Sequence, residues 1–68
     1  MCLSTVYIQS DGRRIEVMQD VAQLESRDEG YLLTGLLGDQ KMIAGRIKKI
    51  DFVVKHSVIL EEDQKSGS

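Results

Sequence analysis

Ser10-Asp11-Gly12-Arg13, preceded by Cys2-Leu3-Ser4-Thr5-Val6-Tyr7-Ile8-Gln9 and followed by Arg14-Ile15-Glu16-Val17-Met18, decides the fold class. The first flank is rich in Thr, Val, Tyr and Ile, whose branched or aromatic side chains fit a pleated surface. An Asp followed by Gly is a strong signal for a two-residue hairpin turn, because both central positions need positive φ. In the second flank Ile15 and Val17 alternate with charged neighbours, so one face is expected to be buried and the other wet. Residues 2–9 and 14–18 are therefore read as an antiparallel pair.

The same punctuation recurs outward from this hairpin. With 6 glycines and no proline, turns fall to Gly combined with Asp. Gln19-Asp20-Val21-Ala22-Gln23-Leu24 fits either a helical turn or a strand, and is read as a strand continuing into Glu25-Ser26. Arg27-Asp28-Glu29-Gly30 turns the chain into Tyr31-Leu32-Leu33-Thr34-Gly35-Leu36-Leu37, which is apolar on both alternating sets and so is expected to be covered on both faces. Beyond Gly38-Asp39-Gln40, residues 41–54 are too many for one flat strand, and Gly45 is the expected bend or bulge. Lys55-His56-Ser57 forms a further turn, and Val58-Ile59-Leu60-Glu61 is the last strand. Positive φ is expected at Gly12 and Gly30. Residues 1–62 form a single small β domain on this reading, and residues 63–68, lacking an apolar anchor, form a mobile tail. The fold class is all-β: a small antiparallel sheet that curls, or closes into a barrel of the Sm or SH3-like type.

Sixty-eight residues make one domain rather than two. Hydrophobic residues at 41 % and charged residues at 29 % give a globular balance, but the core of so short a chain is thin. Chains in that position recruit disulfides, a metal or a second subunit. The single cysteine excludes an intrachain disulfide. Metal binding and self-association remain, and Leu32, Leu33, Leu36 and Leu37 exceed what a small barrel can hide, which points to a partner subunit.

Nine basic against eleven acidic residues leave a net charge of −2, the wrong sign for binding nucleic acid by phosphate neutralisation. Arg46, Lys48 and Lys49 are the local exception. Usually such a cluster is a solvated sheet face; as an RNA-binding patch it would have only Tyr7, Tyr31 and Phe52 for base stacking. No apolar run approaches the roughly 18 residues of a membrane helix, and the first residues lack a signal-peptide layout, so a cytoplasmic location and no membrane partner are expected. One unpaired cysteine agrees with a reducing compartment.

Catalytic constellations are missing: there is no phosphate-cradling glycine loop, no H-E-x-x-H, no cysteine pair and no G-x-S-x-G. Cys2 and His56 could be drawn as a nucleophile and base, but neither an acid orienter nor an oxyanion site accompanies them. The chain is therefore not read as an enzyme. Met18 and Met42 are read as core filler, and His56 by default as a hydrogen-bonded turn residue.

Cys2 matters through its position. A cysteine in second place is small enough for Met1 to be removed, which would leave an amine and a thiol on adjacent carbons. With reference pKa values of about 7.7–8.0 and about 8.5, both can yield their protons to a divalent metal near neutral pH. The amine, the thiolate and the Leu3 amide form five-membered chelate rings suited to square-planar Ni(II) or Cu(II) rather than tetrahedral zinc. Such a site stays incomplete with one chain, and a two-fold axis bringing two Cys2 residues together would fill it. On the residues alone, the alternative of a small side chain at a frayed end or in the first strand stays open.

In order along the chain, Met1-Cys2-Leu3-Ser4-Thr5-Val6-Tyr7, Met18-Gln19-Asp20-Val21-Ala22, and Gly45-Arg46-Ile47-Lys48-Lys49-Ile50-Asp51-Phe52 with His56 and Val58-Ile59-Leu60-Glu61 resemble the CooT family. The resemblance spans residues 1 to about 62 and implies a small nickel-binding accessory protein linked to carbon monoxide dehydrogenase maturation. It implies a compact β fold, a homodimer, and Ni(II) shared between two subunits through Cys2 of each. His56 matches a recurring family position to which no metal role is assigned. The expected function is a non-enzymatic metallochaperone delivering Ni(II) to a cytoplasmic nickel enzyme, possible partners being that enzyme or its maturation factors. The family has also carried an RNA-binding label, so a small β-barrel RNA-binding module is the alternative.

Overall fold

Six strands form between the turn signals, and the computed structural model describes them through residues 3–53 and 55–62. They are β1 (Ser4–Ser10), β2 (Arg13–Arg27), β3 (Gly30–Gly35), β4 (Gln40–Ile43), β5 (Arg46–Asp51) and β6 (Ser57–Glu61). Ser10 pairs with Arg13 across a two-residue turn in which Asp11 has φ 52° and Gly12 φ 75°. Positive φ at both positions is the type I′ signature that the dipeptide predicts. Gly30, at φ 147°, also matches its expectation.

The ambiguous segment 19–24 is strand, part of a continuous fifteen-residue β2. So long a strand serves two neighbours by bending. Its first half pairs with β1 and its second with β3, and the register slips at three places, leaving Val17, one residue of the Gln19-Asp20 pair, and Ala22 as extra residues. Asp20 sits at φ 53° within this stretch. Each extra residue increases local twist, and together they fold β2 across the sheet.

The strand order is β4-β3-β2-β1-β6-β5, and β1 runs parallel to β6 while every other pair is antiparallel. Two expectations are corrected here: the sheet is mixed rather than antiparallel, and it does not close into a barrel, since β4 and β5 form its two ends. It does curl. Outer strands of a flat six-stranded sheet would stand about 24 Å apart, whereas the two-residue link Ala44-Gly45 spans at most about 10 Å. The break expected at Gly45 lies at this corner, with φ 145°, and a Cβ there would meet the Glu61 carbonyl oxygen at 2.7 Å.

One face of the sheet carries the core. Val6, Val21, Leu33, Val58 and Leu60 form its buried cluster, with Val17, Met18, Leu24, Tyr31 and Ile43 packed against it. The register explains this set: Val6 lies beside Val58, Leu24 opposite Leu33, and Tyr31 opposite Ile43. From β4, the Lys41 ammonium reaches over to donate to the Val17 carbonyl at 3.4 Å.

Strand β3 is shorter than expected. It ends at Gly35, whose carbonyl accepts the Gly38 N–H at 3.0 Å, so that residues 35–38 form the turn into β4. Leu33 is fully buried and Leu32 half-buried, but Leu36 is 51 % and Leu37 92 % exposed. Met42 is corrected too: it pairs with Leu32 on the face away from the core and is exposed. Ile15 lies on the core face yet is 52 % exposed, because the curl leaves that margin uncovered.

Candidate metal centre

Cys2, the sequence-derived metal ligand, lies outside the described residues, as do Val54 and residues 63–68 of the expected tail. The neighbourhood into which Cys2 is bonded is described from Leu3 onward. Because β1 and β6 are parallel, their first residues share one end of the sheet: Thr5 pairs with Ser57, and Thr5 N–H donates to the His56 carbonyl at 3.0 Å. His56 is thus brought beside the start of β1 from the far part of the chain. No local pattern signals this. The clue is indirect: β6 has four consecutive buried residues, Ser57-Val58-Ile59-Leu60, and so needs neighbours on both edges and cover on both faces.

The turn joining β5 to β6 completes that end. Asp51 Oδ1 accepts the Val53 N–H at 2.9 Å, an Asx-type turn that aims the next residues outward. Phe52 is 67 % and Val53 90 % exposed, and the Phe52 ring lies 6.2 Å from the half-buried His56 ring at an interplanar angle of 59°. The start of β1, an imidazole and two uncovered apolar side chains therefore share one end of the molecule. At the opposite end Gln9 O accepts the Glu62 N–H at 3.1 Å and the Ser10 hydroxyl donates to the Glu62 carboxylate, tying β1 and β6 together.

Among the described residues there is no group of three or more His, Cys, Asp or Glu placed to hold a metal. On the face away from the core, Tyr7, Arg14, Asp51, Lys55 and Ser57 line a cleft of about 350 Å³. Arg46, Lys48 and Lys49 are exposed on β5, but the aromatics do not gather beside them: Tyr31 packs on the core, Tyr7 stands two strands away on β1, and Phe52 turns to His56. No helix among the described residues is long and apolar enough to cross a membrane.

The fold and the order of motifs agree with what is found among known proteins. A crystal structure from Carboxydothermus hydrogenoformans, provisionally assigned as CooT, superposes with a TM-score of 0.83 at 27 % identity, covering 91 % of this chain and 98 % of its own. No curated protein matches the chain. The model of the family described as CO dehydrogenase accessory protein CooT matches residues 1–61. With nearly its whole length matched by that description, and its six strands superposing on such a structure, the chain belongs to the CooT family of carbon monoxide dehydrogenase accessory proteins.

Proposed function

We propose that the chain is a nickel metallochaperone that binds Ni(II) through Cys2 of two subunits and delivers it to a cytoplasmic nickel enzyme, carbon monoxide dehydrogenase in the first instance. Membership of an accessory family supports a carrier rather than a catalyst. The observation that carries the reading is the end of the sheet where β1 begins. Cys2 is one peptide bond from Leu3, and a single metal can join two Cys2 thiolates only if a two-fold axis passes beside that end. Phe52 and Val53 are the apolar side chains exposed there, and a second subunit approaching along the axis would cover them. This moves the expected dimer contact from the leucines of 32–37 to the turn between β5 and β6. Two thiolates with two backbone nitrogens make the four-coordinate, square-planar donor set that favours Ni(II).

Titration of Ni(II) into the wild-type and Cys2→Ser proteins tests the reading, with thiolate-to-metal charge transfer followed by absorbance and the mass checked for Met1. One nickel per two chains, lost in Cys2→Ser, is the expected result. Equal binding by the two proteins would remove the nickel assignment.

A further inference from the structure

Strand β5 is an end of the sheet, and its outer edge is unpaired among the described residues. Its side chains divide cleanly. Ile47 and Ile50 pair with Leu60 and Val58 on the core face, whereas Arg46 and Lys49 pair with Glu61 and Ile59 on the other, with Lys48 the extra residue between them. The core-face residues are not covered: Ile47 is 39 % and Ile50 45 % exposed. Arg46, Lys48 and Lys49 place three of the chain's nine basic residues on one edge of a protein of net charge −2. None of the three takes part in an ion pair among the described residues, where the pair formed is Arg27–Glu25.

From this edge we infer a docking site for an extended segment of a partner protein that alternates acidic and apolar residues and adds to the sheet as a seventh strand. Successive residues of an added strand point to opposite faces and meet the residues opposite them. Those beside Arg46 and Lys49 are acidic, those beside Ile47 and Ile50 apolar, and main-chain hydrogen bonds to the β5 edge supply the rest of the affinity. The residue beside Asp51 is not acidic, which sets the direction of the charge pattern along the strand.

A second copy of β5 is a poor occupant. Antiparallel self-pairing that matches Ile47 with Ile50 would pair Arg46 with Asp51 but set Lys48 against Lys49 on both sides of the axis, and like charges directly opposite are unfavourable. The edge thus favours an acidic strand, which meets no such repulsion, over its own copy. At the other end of the sheet β4 has only four residues, and its Lys41 is turned inward to Val17. Basic residues on an edge can also serve only as a guard against aggregation. A guard needs no uncovered apolar residues on the face beneath it, and β5 has two.

The test is a titration of the full-length protein with a fluorescein-labelled peptide of about eight residues alternating glutamate and valine, read by anisotropy and by backbone amide shifts. Saturable binding is expected, with the shifts concentrated in residues 46–51. Arg46→Gln/Lys49→Gln should weaken it at least about tenfold, and added salt should weaken it too. Alternate N-methylation of the peptide should also cost about tenfold, because it removes the ladder donors. Cys2→Ser should bind the peptide as the wild type does, which separates this site from the nickel reading. Absence of saturable binding, equal affinity for the neutralised variant, or indifference to N-methylation would each overturn the proposal. So would β5 shifts that follow protein concentration without peptide, the outcome that makes the edge a self-association surface.

Discussion

Gly12 and Gly30, both at positive φ, differ in what surrounds them, and their substitutions should differ accordingly. A Cβ on Gly12 meets nothing within 4 Å, so Gly12→Ala costs only the backbone strain of φ 75°, about 1 kcal/mol. At Gly30 a Cβ would overlap the Ile43 carbonyl, which belongs to the backbone and cannot swing aside. Gly30→Ala should therefore cost about 3 kcal/mol or more, the loss expected when strain and overpacking combine. Urea denaturation with an unchanged m-value would measure both. Cys2 carries a different prediction. Nickel competes with protons for the thiol and amine, so affinity should rise from about pH 6 to about pH 8 and fall away in acid with the far-ultraviolet circular dichroism unchanged. His56→Ala should weaken nickel far less than Cys2→Ser, because the contact that ties His56 to β1 is made by its main-chain carbonyl and survives the substitution. One residue added before Cys2 keeps the thiol but displaces the amine, and a loss of affinity in that protein would identify the amine as a ligand.

Among the elements, β6 holds the sheet together and β2 bends it. Leu60 is fully buried between β1 and β5, so Leu60→Ala should cost about 2–5 kcal/mol. Ile15→Ala, on the same face but half exposed, should cost under about 1 kcal/mol by area removed from water. Thermal unfolding of the two variants separates a closed part of the core face from an open one, and equal losses would show that the open margin is covered in solution. Strand positions were legible because alternation and glycine punctuation are local signals: the hairpin at Asp11-Gly12 and the corner at Gly45 are both as expected. The bulges of β2 were not legible, since nothing in residues 17–22 tells a straight strand from one forced to change partners halfway. Leu36 and Leu37 misled for a related reason. Apolar character marks a strand only while the backbone stays extended, and from Gly35 to Gly38 it turns.

At the scale of the whole molecule, a curled sheet with one open margin is thin, measuring 15 Å across its shortest axis. The proposed second subunit would cover it. Light scattering at micromolar concentration should give twice the 7.6 kDa chain mass, and Phe52→Asp/Val53→Asp should return the monomer with its amide spectrum intact outside the turn. A dimer indifferent to that change would put the contact elsewhere. The sequence by itself determined the all-β class of structure, the turns at Gly12 and Gly30, and Cys2 as the residue on which to rest a metal hypothesis. Each follows from a residue and its immediate neighbours. Only the tertiary structure decided that β1 and β6 are parallel, that the sheet stays open, and that His56 returns beside the start of β1. Periodicity states which way a side chain points, but not which distant strand lies beside it. That choice belongs to burial: β6 is apolar on both faces and finds two neighbours only by lying between β5 and β1.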